Sequence, residues 1–182
     1  MGQAQQARSC GPAGLTTIDL FPWYSRDLTK KSAGLLMYRR RGEELEVFLA
    51  HPGGPFWSKK DAWTIPKGEF EENESPLEAA KREFREETGF DAQGEFIELG
   101  EITQPGGKRV LAWAFEGDCD PSRLVSNTCW IEWPQNSGRQ LEIPEIDRGA
   151  WFSIPGARKK IFRGQETLLD RLVSRIQQKS AN

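Results

Sequence analysis

The sequence predicts an α/β domain, and three observations predict it. Residues 33–40 (AGLLMYRR) and 44–51 (ELEVFLAH) are two apolar-rich runs flanking the polar turn Arg41-Gly42-Glu43, the pattern of two adjacent strands. Between Ser75 and Gly89 lies one strong helix: Ser75-Pro76-Leu77-Glu78 reads as a capping box with Pro at the first helical position, and Gly89 supplies the stop. Near the C-terminus, Leu168, Leu169, Leu172, Val173 and Ile176 recur at helical spacing, so a second amphipathic helix spans roughly 165–178. Between the helices, further strands are expected at Phe96–Thr103, Val110–Glu116, Cys129–Trp133 and Ala150–Phe152. A Gly- and Pro-rich loop over 51–61 leads through the short apolar piece Trp63-Thr64-Ile65 to Pro66-Lys67-Gly68.

Composition removes several classes of function. With 182 residues, 37% hydrophobic and 29% charged, the chain is neither collagen, coiled coil nor wholly disordered, and it can bury a core without disulfides or a structural metal. A net charge of −2 gives no footprint for duplex nucleic acid. The longest uncharged apolar runs, such as Ala33–Tyr38, fall far short of the roughly 20 residues of a membrane span. Met1–Gln6 is polar with no apolar region after it, so a signal peptide is not expected. Cys10, Cys119 and Cys129 are odd in number and lack a C-x-x-C, which suits a reducing compartment, and the expectation is a cytoplasmic protein. Residues 1–30 read as a partly flexible extension in which Leu20, Phe21, Trp23 and Tyr24 are candidates to dock on the domain.

The chemistry concentrates in the first helix. Between Glu69 and Glu87 stand eight glutamates against three basic residues, Lys81, Arg82 and Arg85. Glu83, Glu86 and Glu87 lie at i, i+3 and i+4 and share one patch beside the apolar stripe Leu77, Ala80 and Phe84. Like charges at that spacing repel, and Glu86 and Glu87 occupy the last turn, where the helix dipole favours cations. A helix sound in its caps and wrong in its charges points to a partner cation. Three carboxylates without His or Cys form an all-oxygen site suited to Mg²⁺ or Mn²⁺ rather than Zn²⁺ or copper. Charge content alone would equally describe a solvated face with Arg82 and Arg85 as ion-pair partners.

The longer spacing decides between these readings. Gly68, Glu74, Arg82, Glu83, Phe84, Glu86, Glu87, Gly89 and Phe90 reproduce G-x5-E-x7-R-E-U-x-E-E-x-G-U, where U is a bulky apolar residue. Seven fixed residue types coincide by chance on the order of once in 10⁸ windows. Here the sequence resembles the Nudix hydrolase family. The strand pair, the Trp63–Gly68 lead-in and Pro144-Glu145-Ile146-Asp147-Arg148 followed by Trp151-Phe152 extend a looser similarity over residues 31–178, with 179–182 left as a tail.

The resemblance implies an α/β/α sandwich around a mixed sheet. It also implies water attack on phosphorus in a nucleoside diphosphate linked to another moiety. Carried over residue by residue, Glu83, Glu86 and Glu87 become ligands of Mg²⁺ or Mn²⁺, with the Gly68 carbonyl as a further ligand and Arg82 and Glu74 in support. The physical logic agrees, because divalent cations neutralise the phosphates, polarise phosphorus and acidify the attacking water. The family's water-activating base often lies outside the motif, and Glu145 is the first candidate, followed by Glu142 and Glu116.

Lys67, one residue before the motif, is a candidate to meet a phosphate oxygen. Phe56 and Trp57, followed by Lys59 and Lys60, are the preferred cover over a nucleotide; Trp133 is a further stacking candidate, and Arg139 in Ser137-Gly138-Arg139 is a second phosphate contact. His51 is expected to make a structural hydrogen bond, and Cys119 and Cys129 to pack. The favoured substrate is a nucleoside triphosphate or dinucleoside polyphosphate. The alternatives are an RNA 5′ end or a catalytically weak nucleotide-binding module. An isomerase of the isopentenyl diphosphate kind, on the same fold, is disfavoured by the single histidine. Many proteins similar to this one are homodimers.

Overall fold

The computed structural model describes residues 31–70 and 73–180. The expected docking of Leu20, Phe21, Trp23 and Tyr24 lies outside the described residues. The elements run β1 (Lys31–Arg41), β2 (Glu44–Pro52), β3 (Lys67–Glu69), α1 (Pro76–Thr88), β4 (Phe96–Thr103), β5 (Arg109–Glu116), β6 (Thr128–Glu132), β7 (Gln140–Pro144), β8 (Ile146–Ser153), α2 (Ile154–Lys160) and α3 (Glu166–Ser180).

The main sheet has the order β4-β5-β1-β2-β8, with β1 parallel to β5 and antiparallel to β2. Alternation along β1 divides the core. Ala33, Leu35 and Met37 pack with Phe48 and Phe115 against Ala79, Ala80 and Phe84 of α1. Leu36 and Tyr38 face the other way, where Leu168, Leu169, Leu172 and Ile176 of α3 and Ala157 of α2 close the second layer. The result is the expected sandwich, with α1 on one face of a mixed sheet and α2 and α3 on the other.

One feature of the topology makes the site. β2 and β3 share a single edge of β1: Ser32–Gly34 pair with β3, whereas Tyr38–Arg41 pair with β2. The sheet therefore splits along β1. The gap is bridged by Trp63–Ile65, with Ala50 and Thr64 exchanging both backbone hydrogen bonds at 2.9 Å. A separate two-stranded ribbon, β6 with β7, stands beside this split.

Several local expectations are corrected. Ser75 is the N-cap residue of α1, yet its side chain makes no capping bond, and Glu78 pairs forward with Lys81 at 2.7 Å. The capping box is therefore absent, although Pro76 starts the helix and Gly89, at φ 76°, ends it with its N–H on the Arg85 carbonyl. The three-residue strand β3 falls on Lys67–Glu69, where no element is expected from the sequence. β7 is not expected from the sequence: its run QLEIP alternates over only two apolar residues and ends in a proline, and it is paired with β6. α2 was hidden by the Pro and Gly in IPGARKK; Pro155 sits where a helix tolerates it, and Ser153 Oγ accepts from Gly156 N at 3.4 Å. The expected strand Ala150–Phe152 is the middle of the longer β8.

Candidate active site

Helix α1 packs on β1 and β3, and this fixes the glutamates. With Ala79, Ala80 and Phe84 in the core, Glu83 and Glu87, one turn apart, are carried to its margin and are only 3% and 9% exposed. β3 lies against them. The Lys67 N–H donates to Glu87 Oε2 at 2.9 Å. A Cβ on Gly68 would fall 1.9 Å from Glu83 Oε2, so only glycine admits this carboxylate so close to the strand.

Arg82 organises the other carboxylates. Its Nε and Nη2 donate to the two oxygens of Glu74 at 2.9 and 3.0 Å, a two-point clasp, while Nη1 donates to Glu83 Oε1 at 2.5 Å and Glu86 Oε2 at 3.2 Å. Nη2 also reaches the Glu69 carbonyl at 3.2 Å. The hydrogen bond to Glu74 is the chief reason the Arg82 guanidinium is held more firmly protonated than usual.

Glu87 feels the opposite environment. Burial pushes its carboxyl up to about 8; Glu145 and Glu83 push the same way, against the Lys67 ammonium and N–H. Glu145 thus faces Glu87 across the site, although 58 positions separate them in sequence. Its backbone is gripped twice, Gly53 N donating to its carbonyl at 2.9 Å and its own N–H donating to Asn127 O at 2.9 Å.

A pocket opens over these groups. Lys67, Glu87 and Glu145 are the charged groups of its lining. Phe56, Trp57 and Phe162 form an aromatic wall, and Ile131 and Ile143 of the β6–β7 ribbon add apolar lining. The aromatic wall is packed upon itself: Phe56 meets Trp57 edge to face at 4.9 Å, Trp57 meets Phe162 at 5.0 Å, and Lys60 Nζ sits 3.3 Å above the Phe56 ring and 4.7 Å above Trp57.

Of the residues singled out in the sequence, Lys67, Glu87, Glu145, Phe56 and Trp57 line one pocket, with Gly68 and Glu83 directly behind it and Arg82, Glu74 and Glu86 joined in the adjacent ion-pair network. Arg139 and Trp133 do not line it. Trp133 is 40% exposed beside the ribbon, and Arg139 sits in the β6–β7 turn, its backbone N–H bonding Ser137 Oγ at 3.2 Å. Glu142 is turned outward and accepts from Thr128 Oγ1 at 2.6 Å. Glu116 lies opposite Tyr38, at the far end of β1 from β3. His51 makes structural hydrogen bonds, Nδ1 to Asp147 Oδ1 and Nε2 to the Lys60 carbonyl, both at 2.7 Å.

Sequence reasoning missed Lys108. Its ammonium lies 3.6 Å from Glu69 and near Lys67 and Glu83, and burial together with Lys67 lowers its proton affinity. Its only local signal is the preceding Gly106-Gly107, which marks a turn and nothing chemical. Phe162, Ile131 and Ile143 also reach the pocket from chain distant in sequence.

The donor chemistry fits a hard divalent ion. All the carboxylates are oxygen donors, two of them buried one turn apart, and Glu87 is strained by its anionic neighbours. Among the described residues no three such groups converge on one point, since Glu83 and Glu86 turn to Arg82.

A family model described as the NUDIX domain matches residues 28–172. The chain belongs to the Nudix family. This agrees with the resemblance carried by residues 68–90. The chain is 33% identical over 144 residues to an 8-oxo-(d)GTP phosphatase of Mycolicibacterium smegmatis, covering 66% of this chain and 42% of that protein. It is 41% identical over 126 residues to an RNA pyrophosphohydrolase of Xanthomonas campestris pv. campestris, covering 68% and 48%. This Nudix chain therefore spans about half the length of these two curated relatives. A solved C. elegans Ap4A hydrolase binary complex matches with a TM-score of 0.58 at 20% identity, over 80% of this chain and 98% of that one, which shows the shared fold. Among the described residues no helix is long and apolar enough to cross a membrane.

Proposed function

We propose that this Nudix chain hydrolyses a phosphoanhydride bond in a nucleoside diphosphate-linked substrate, with a nucleoside triphosphate or dinucleoside polyphosphate as the preferred class. The observation that carries this reading is the buried pair Glu83 and Glu87 facing Lys67 and Glu145 in an aromatic-walled pocket. Glu83, Glu86 and Glu87, with the Gly68 carbonyl, would hold Mg²⁺ or Mn²⁺. Such an ion neutralises phosphate charge and favours the attacking form of water.

The chain's own groups supply the rest. Lys67 offers an ammonium to the phosphate oxygens, and Arg82 keeps Glu83 and Glu86 oriented. Water adds its oxygen to phosphorus, the bridging P–O bond breaks, and the water's proton passes to Glu145. Phe56, Trp57 and Phe162 hold the nucleoside and exclude solvent. A cytoplasmic location belongs to the same reading, supported by a cysteine set that is odd in number and lacks a C-x-x-C.

An RNA 5′ end is the second reading, favoured by the RNA pyrophosphohydrolase names among the relatives. Product release across nucleoside triphosphates, dinucleoside polyphosphates and triphosphorylated RNA, with and without Mg²⁺, separates the two. Glu87→Gln, a neutral isostere at a buried carboxylate, is expected to lower turnover by about 10²-fold or more while the protein stays folded. Wild-type turnover in that variant at an unchanged Mg²⁺ requirement would remove the assignment.

A further inference from the structure

His51 is the single histidine of the chain and is wholly buried, outside the carboxylate cluster. Its two ring nitrogens reach two different segments. Nε2 lies 2.7 Å from the Lys60 carbonyl, and Nδ1 lies 2.7 Å from Asp147 Oδ1. The Lys60 carbonyl can only accept, so Nε2 carries the proton of that bond, while Nδ1 faces the Asp147 carboxylate. Trp63 covers the ring edge to face at 5.3 Å. The other charged groups around it are Asp61, bonded to Trp63 Nε1, and Arg148, whose guanidinium stands over the Trp63 ring.

Each arm ends at a part of the pocket. Lys60 closes the turn that carries the aromatic wall, its N–H on the Trp57 carbonyl at 2.7 Å and its ammonium above Phe56 and Trp57. Fixing the Lys60 carbonyl therefore fixes both rings. The Asp147 arm acts on Glu145. Along the β2–β8 ladder His51 pairs with Arg148 and Pro52 with Ile146, so Asp147 is the extra residue of a β-bulge. A bulge bends its strand and re-aims neighbouring side chains. The bond from His51 holds the one residue that the ladder leaves unpaired, two positions from Glu145.

We propose that His51 is a positioning residue that joins the two halves of the site, its Nε2 contact setting the Phe56–Lys60 wall and its Nδ1 contact setting the bulge that aims Glu145. The kinetic part of this proposal rests on the hydrolase reading above. The two bonds do not, and they are read without turnover.

Two substitutions separate the arms. In His51→Asn the amide nitrogen stands near the Nδ1 position and keeps the Asp147 bond, while the Lys60 bond is lost. His51→Gln reaches the Nε2 position and keeps the Lys60 bond at the cost of Asp147. Losing a hydrogen bond of this kind is expected to cost about tenfold in the property it controls. His51→Asn should raise KM about tenfold with kcat little changed, and His51→Gln should lower kcat about tenfold with KM little changed. Hydrogen exchange of the amides at 56–60 should quicken in His51→Asn and not in His51→Gln. The ¹H–¹⁵N spectrum of the wild-type imidazole, unambiguous with a single histidine, should show the Nε2 proton protected from solvent exchange.

Equal losses in both variants, unchanged constants in both, or an Nε2 proton that exchanges freely with solvent in the wild type would overturn the proposal. Should either variant fail to fold, the wild-type spectrum still decides. Should the wild type turn over none of the nucleotides, the hydrolase reading fails, while the spectrum and the exchange pattern still test the two bonds.

Discussion

Gly68 lies so close to Glu83 that a Cβ on the glycine would overlap the carboxylate, 1.9 Å from Oε2 and 2.0 Å from Cδ. The contact joins β3 to α1 at the point where the sheet splits, and Arg82 holds the other oxygen of the carboxylate. Gly68→Ala is therefore expected to displace the Glu83 carboxylate rather than the strand. kcat should fall by about 10-fold or more, with a stability loss of no more than about 1–2 kcal/mol, because only the end of one side chain must move. Urea unfolding and steady-state kinetics on the same protein check both halves; a normal kcat would show that Glu83's position is not needed.

Lys108 gives a second test, on substrate affinity. It approaches Lys67 despite their mutual repulsion, with Glu69 at 3.6 Å as its partner. Two ammonium groups kept together beside a carboxylate cluster suit a polyanion. Lys108→Met keeps the apolar stem and removes the charge, so KM for a triphosphate should rise about 5- to 20-fold with little change in melting temperature. Raising the salt concentration should weaken the wild type more than the variant.

Much of this site was legible because it is local. Glu83, Glu86, Glu87 and Arg82 fall on one turn-and-a-half of helix, so spacing alone brings them together, and the apolar stripe beside them correctly placed Glu83 and Glu87 at the core margin. The sandwich was legible too, through strand alternation and the two amphipathic helices. What sequence could not show depends on pairing between distant segments. Lys108 comes to the carboxylates only because β5 lies parallel to β1, and Phe162 comes to Trp57 only because Ile161 bridges to Trp63. Arg139 is not among the residues that line the pocket: it sits in the turn after β6, a placement no local pattern encodes. The N-cap of α1 shows the converse, since the Ser-x-x-Glu pattern is present while Glu78 prefers Lys81.

Arg171 should matter for stability and not for binding. From α3 its Nη1 donates to the carbonyls of Leu99 and Glu101 at 2.8 and 2.9 Å, across the irregularity in β4 between Glu98 and Gly100. Both carbonyls thus accept from one charged donor. Arg171→Met leaves them under-satisfied and should cost about 1–3 kcal/mol of unfolding free energy. Denaturant melts measure the loss, and an unchanged KM would confirm that the effect stops at the far face of the sheet.

Cys119 is expected to be a poor nucleophile although it is only partly buried. Burial pushes its thiol up to about 12 from an ordinary 9.0, and Asp118 adds to the shift while Arg39 opposes it. Because the folded value is the higher one, ionisation works against the fold, so the stability retained below pH about 9 is lost as the pH climbs through the folded value. Near pH 8 the thiolate fraction is about 10³ lower than for an ordinary thiol, and alkylation should slow by a comparable factor until the chain is unfolded. Mass spectrometry of proteolysed, iodoacetamide-pulsed protein reads Cys119 separately from Cys10 and Cys129. Labelling of Cys119 at the rate of a free thiol in the native protein would show that Trp151, whose Nε1 donates to the Cys119 carbonyl at 3.1 Å, does not keep this segment closed.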